Sequence, residues 1–187
     1  MGSSGLYLWN TEADLERAVS KLREQEWVGR IFTADSGDGD MGIISDTFSR
    51  KLINIDHAGR SPDVVFSRRW DDSANGEGIQ GTVCGLNGVA THGSLSPYDR
   101  NAVLVAHGPA FRKGLVSGCV SSVVDIAPTL LSLFGIDANQ GGSILEEALQ
   151  DGGVPAETEG PRVTVAQSGT ARFRIVNDRP YLVGFDC

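Results

Sequence analysis

The chain holds three histidines, and two of them fall in one stretch, GVATHGSLSPYDRNAVLVAHGPAF (88–111). Imidazole is the commonest protein ligand for a borderline-soft divalent ion, and carboxylates are its usual companions. His92 and His107 are each followed by glycine, and Asp56-His57 sets a carboxylate beside an imidazole. Carboxylates gather again at Asp35, Asp38 and Asp40, and at Asp71 and Asp72. A catalytic zinc site takes about three protein ligands, so each residue is weighed against a plainer role. On residue type alone His92 is a polar residue of a Gly-rich loop, and His107 closes an apolar run as a structural residue. Asp56-His57 reads as a turn. The acidic stretch from Ala34 to Met41 lacks the ligand order and closing Glu of a calcium loop, so a solvated loop is expected there. Asp71 and Asp72 read the same way. Asp125 and Thr129 shape a helix start, and Thr129 inside that helix is poorly placed to attack a substrate. Cys84, Cys119 and Cys187 form no CxxC pair and read as buried or free thiols of a reducing compartment.

The elements that position these residues follow from local pattern. GLYLW (5–9) is expected as a strand, and Thr11 caps a helix whose Leu15, Ala18, Val19 and Leu22 form one apolar stripe. WVGRIFT (27–33) is expected as the next strand, which makes a β-α-β unit and favours a parallel sheet. KLINID (51–56) and DVVFS (63–67) look like further strands, and 71–93 like a long irregular loop. AVLVAH (102–107) has the continuous apolar character of a buried parallel strand. A helix is expected from Asp125 as N-cap to a left-handed stop at Gly135, with Pro128 in its first turn, then a short helix over SILEEALQ (143–150). RVTVAQSG and ARFRIVNDRPYLVGFD alternate like strands, with a turn at Asn177-Asp178.

Composition bounds the partners. The net charge of −8 argues against nucleic acid and against an anionic membrane surface. No apolar run approaches the roughly 20 residues that cross a bilayer, and no basic-then-apolar leader follows Met1. A soluble, cytoplasmic chain is the expectation as the sequence stands.

The ordered set Thr91-His92-Gly93, Ser96-Pro97-Tyr98-Asp99, Gly108-Pro109-x-Phe111-Arg112 and Asp125-Ile126-Ala127-Pro128-Thr129 resembles the C-terminal half of the type I phosphodiesterase/nucleotide pyrophosphatase family, within the alkaline phosphatase superfamily. The likeness extends upstream through LINIDHAGRSPDVVFS and downstream through GGSILEEALQDG. It implies an α/β fold with a parallel or mixed sheet flanked by helices, as the C-terminal part of an alkaline-phosphatase-like core, with a short antiparallel element at the C-terminus. Residues 1–187 would form a single partial domain. It also implies that His92 is the late metal ligand of a two-zinc centre and that Asp99 and Asn101 act behind it, orienting the imidazole or closing the loop. Asp-His pairs hold metal in this superfamily, but glycine then follows at once, whereas here Ala58 does.

The substrate class so implied is a small phosphate ester, phosphodiester or nucleotide. The nucleophile and most metal ligands of such an enzyme are not found in this sequence, so no catalytic residue is assigned and the chain alone is expected to be inactive. Exposed apolar edges, and self-association through them, are expected of a partial domain. A non-catalytic binding or interaction module of the same fold is the alternative. A doubly wound nucleotide-binding protein ranks lower, because its glycine fingerprint is missing from the first turn.

Overall fold

The computed structural model describes residues 3–8, 12–83, 92–137, 140–154, 162–166 and 169–186. The chain divides into two compact units: Met1–Ala102 with Thr164–Ala171 and Gly184–Cys187, and Val103–Val163 with Arg172–Val183.

The first unit is built on a four-stranded mixed sheet of order β1-β4-β2-β3, formed by β1 (Ser3–Leu6), β2 (Val28–Thr33), β3 (Phe48–Ser49) and β4 (Val64–Arg68). β4 is antiparallel to both β1 and β2, whereas β2 and β3 are parallel. The expected β-α-β unit is therefore opened, with β4 lying between β1 and β2. The reason lies in the side chains. Val64, Val65 and Phe66 are all buried, so both faces of β4 are covered and the strand takes a central place, as apolar runs do.

Helix α1 (Glu12–Arg23) lies where its stripe predicts, with Val19 and Leu22 buried against Ile31, Ile44, Val64 and Phe66. Full burial of a side chain such as Val19 contributes about 1.5–3 kcal/mol. The Thr11 cap lies outside the described residues. Trp27 meets Phe66 edge-on at 5.7 Å and carries the Arg68 guanidinium over its ring at 4.5 Å. A second cluster joins Phe32, Phe48 and Phe185, with ring centroids 5.2–6.0 Å apart.

KLINID is not a strand. Only Phe48–Ser49 pairs, and Arg50–Ile53 then turns as a 3-10 helix. The Ser49 hydroxyl accepts from the Lys51 amide, and Asn54 ends the turn in the left-handed region at φ 56°. Side-chain capping of this kind competes directly with a strand ladder. The acidic loop is more ordered than a solvated one. Asp35 accepts from the Gly39 amide at 2.8 Å and pairs with Lys51 at 2.7 Å, and Asp38 accepts from the Asp40 and Met41 amides, both at 2.8 Å. The Lys51 hydrogen bond holds Asp35 below the usual carboxylate range, and the amides do the same for Asp38. The loop folds back through Gly42, where an added Cβ would run into the Thr33 and Thr47 hydroxyls. Those hydroxyls are themselves buried and bonded to each other at 2.8 Å.

In the second unit α3 (Ile126–Leu133) is preceded by a 3-10 turn over Val123–Asp125 and stops at Gly135, φ 66°. The Ile136 amide bonds back to Leu131 O at 3.0 Å, so the end is a left-handed cap as expected. SILEEALQ makes only a 3-10 turn, Glu146–Ala148. The backbone groups that would extend it are taken by residues 110–112: Arg112 N donates to Ala148 O and Gln150 N to Ala110 O, both at 2.9 Å. AVLVAH is likewise not a buried strand. It runs without helix or ladder, and Val103 and Val105 are 89% and 81% exposed. A ladder needs a neighbouring edge, and among the described residues this run pairs with none.

At the C-terminus β7 (Arg162–Ala166), β8 (Gly169–Val176) and β9 (Arg179–Asp186) form a three-stranded sheet in that order. Asn177 and Asp178, at φ 48° and 61°, make the two-residue left-handed turn of a β8-β9 hairpin. Among the described residues no helix is long and apolar enough to cross a membrane.

Candidate functional site

His92 opens a loop fastened to the C-terminal end of β4. Gly93 follows in the left-handed region at φ 77°. The Ser94 amide donates to Asp99 Oδ2 at 2.6 Å, and the Leu95 amide donates to Ser67 Oγ on β4 at 3.3 Å. Ser96 is fully buried and caps the one-turn helix α2 (Pro97–Arg100), its hydroxyl accepting from the Tyr98 amide at 3.3 Å with proline in the first turn. The loop is thus held at Ser94, Leu95 and Ser96, while the His92 ring stands exposed two residues before the first of these ties.

Asp99 closes this loop by accepting the Ser94 amide. Asn101 is exposed, and its own amide caps α2 by donating to Pro97 O at 3.0 Å. Among the described residues neither side chain is hydrogen-bonded to the His92 imidazole. Arg100, on the same turn, has its guanidinium pKa lowered by burial.

β4 also leads into β5 (Trp70–Asp71), which pairs antiparallel with β6 (Thr82–Val83). Asp71 is occupied locally: its Oδ1 accepts from the Ser73 amide at 2.7 Å and from the Ser73 hydroxyl, which lowers its pKa. Asp72 Oδ1 accepts from the Tyr98 hydroxyl at 2.7 Å, and the Trp70 ring meets Tyr98 edge-on at 6.3 Å. Tyr98 is the residue that sequence reasoning left without a role. The Ser-Pro pair just before it, a helix-start signature, was the available signal.

The other candidates lie in settings of their own. His57 sits in an exposed turn, with Arg60 N donating to His57 O at 3.2 Å, Gly59 at φ 75° and the imidazole Nδ1 donating to Ala58 O at 2.7 Å. Asp56 pairs with Arg50 at 3.1 Å. His107 is exposed in the unpaired run. Asp125 is fully buried in the second unit, and Thr129 donates to its carbonyl at 2.6 Å. Cys119 is a half-buried free thiol, and Cys84 and Cys187 lie outside the described residues.

Donor supply decides whether a zinc ion fits. His92 offers one nitrogen, Asp99 Oδ2 is engaged by Ser94 and Asp72 Oδ1 by Tyr98. Among the described residues no group of three or more His, Cys, Asp or Glu side chains is placed to hold a metal. These residues do not by themselves make a zinc site. No family model, curated protein or solved structure matches the chain.

Proposed function

We propose that the chain is the C-terminal portion of a metal-dependent hydrolase of small phosphate esters, phosphodiesters or nucleotides, of the type I phosphodiesterase/nucleotide pyrophosphatase kind, with an alkaline-phosphatase-like core. The reading is carried by the order of the four motifs from His92 to Thr129. Two physical observations support it. The His92 ring is exposed on a loop tied down just after it, the setting a coordinating imidazole needs. The apolar run 102–107 has the composition of a central strand and no ladder, as a strand would whose neighbours belong to another part of a larger fold.

In this reading His92 contributes one ligand to a divalent centre, zinc by its chemistry. Asp99 and Asn101 hold the loop behind it. The chain alone binds catalytic metal poorly and does not turn over. The expected result is that the purified chain with added zinc hydrolyses bis(p-nitrophenyl) phosphate no faster than zinc in buffer. Enzyme-level hydrolysis that EDTA abolishes would overturn the inactive-portion reading. Sequencing the frame upstream of Met1 tests the family: a continuous frame bearing a Thr or Ser nucleophile and an Asp-His-Gly supports it, and a stop codon directly before Met1 favours the interaction module.

Exposed apolar side chains favour association. In the second unit Val116 is 93% and Phe134 77% exposed, besides Val103 and Val105. Val103, Leu104 and Val105 expose apolar surface in one continuous run, and contiguous apolar surface is where chains associate. Sedimentation velocity is expected to show mass above the 19.8 kDa monomer, rising with concentration. A single monomeric boundary across the range would remove the proposal of self-association.

A further inference from the structure

Tyr98 belongs to two structures at once. Its backbone lies in α2, whose cap Ser96 and neighbour Leu95 are tied to Ser94 and to Ser67 of β4. Its side chain leaves that loop altogether and reaches the β5-β6 hairpin at both sides of its tip. The hydroxyl donates to Asp72 at 2.7 Å on the outgoing side and approaches the Gln80 side-chain amide at 3.2 Å on the returning side. The ring lies flush on Gly81, φ 75°, where a Cβ would meet Tyr98 Cγ at 2.7 Å and Cβ at 2.9 Å. Trp70 closes the remaining edge.

Within the hairpin the tip is held by short-range bonds. Gly78 N donates to Asn75 O, Ile79 N to Asn75 Oδ1 and Gly81 N to Asp71 O, each at 2.9 Å. The β5-β6 ladder itself is two residues on each side. A two-stranded hairpin so short has little stability of its own.

We propose that Tyr98 is a latch that makes the β5-β6 hairpin and the His92-bearing loop one cooperative unit, so that opening of the hairpin loosens the loop. A phenol bonded to a carboxylate is a stronger tie than a neutral pair, and the Asp72 carboxylate accordingly raises the Tyr98 pKa. Gly81 is what lets the ring seat. The inference stands whatever His92 binds.

Tyr98→Phe keeps the ring and removes only the hydroxyl. The test is residue-resolved amide hydrogen exchange of the whole chain by NMR. The variant is expected to exchange roughly fivefold faster at Gly78, Ile79 and Gly81 of the hairpin, the effect of losing about one exposed hydrogen bond. Ser94 and Ser96 of the loop are expected to accelerate by a similar factor, with Ile31 and Phe66 in the sheet unchanged. Asp72→Asn, which keeps an acceptor for the phenol, is expected to give a smaller rise at the same five amides. Acceleration confined to the hairpin would overturn the coupling and leave Tyr98 as a local anchor. No change at either place, or an equal rise in the sheet, would overturn it as well.

Discussion

Asp125→Ala is expected to cost about 3 kcal/mol or more, and to act first on the second unit. The carboxyl group is fully buried and serves three donors: Ser122 N at 2.7 Å on Oδ2, and Ser143 N and the Tyr181 hydroxyl, both at 2.8 Å, on Oδ1. Alanine removes both acceptor oxygens and leaves all three donors without a partner, and each buried donor left unpaired costs about 1–3 kcal/mol. Thr129 extends the same hub, donating to Asp125 O and accepting from Leu145 N at 2.9 Å. The start of α3, the 143–145 segment and the β8-β9 hairpin are therefore joined through one side chain. All three tryptophans, Trp9, Trp27 and Trp70, precede Val103, where the second unit begins, so a probe within that unit is needed. The measurement is amide exchange at Ser122, Ser143 and Leu145, expected to approach the rates of an unfolded chain in Asp125→Ala. Asp125→Asn, which keeps one oxygen, is expected to fall between. Parent-like protection at Ser143 in Asp125→Ala would show that the hub does not hold the segment.

This hub also marks where local pattern stops informing. Gly135 as a helix stop and Asn177-Asp178 as a hairpin turn were legible, because each depends on a few neighbouring residues, whereas Asp125, expected as the N-cap, precedes α3 without a side-chain capping bond to it. That Asp125 turns its carboxyl away from α3, toward a segment 18 residues on and a tyrosine 56 residues on, is a long-range fact. Strand order is of the same kind. The β4 sequence says that both faces are apolar, yet which strands it parts is decided by packing. KLINID and SILEEALQ failed for a shared reason: side-chain caps and a distant backbone segment took the groups that a regular element would use. At the candidate site the loop setting of His92 was legible from the glycines around it, whereas the Tyr98 bridge to Asp72 spans 26 residues and leaves no periodic trace.

In the first unit the comparable position is Phe48. This ring is fully buried, although its strand is only two residues long. It meets Phe185 at 5.2 Å and Phe32 at 6.0 Å, both in tilted or edge-on geometry. Such pairs add about 0.5–1.5 kcal/mol beyond burial. Phe48→Ala therefore empties the middle of a three-ring cluster, and the expected loss is about 3–5 kcal/mol. Phe48 is also paired in register with Phe32 on β2 and bridged to Met41, so the cavity opens where the acidic loop returns to the sheet. Urea denaturation followed by tryptophan fluorescence should show the midpoint falling with little change in slope, the mark of lost stability rather than an altered denatured state. Phe48→Leu, which keeps much of the volume, is expected to recover more than half of the loss. If leucine proved as damaging as alanine, ring geometry rather than filled volume would be what this short strand contributes, and the cluster would have to be understood as a directional contact set instead of a packed core.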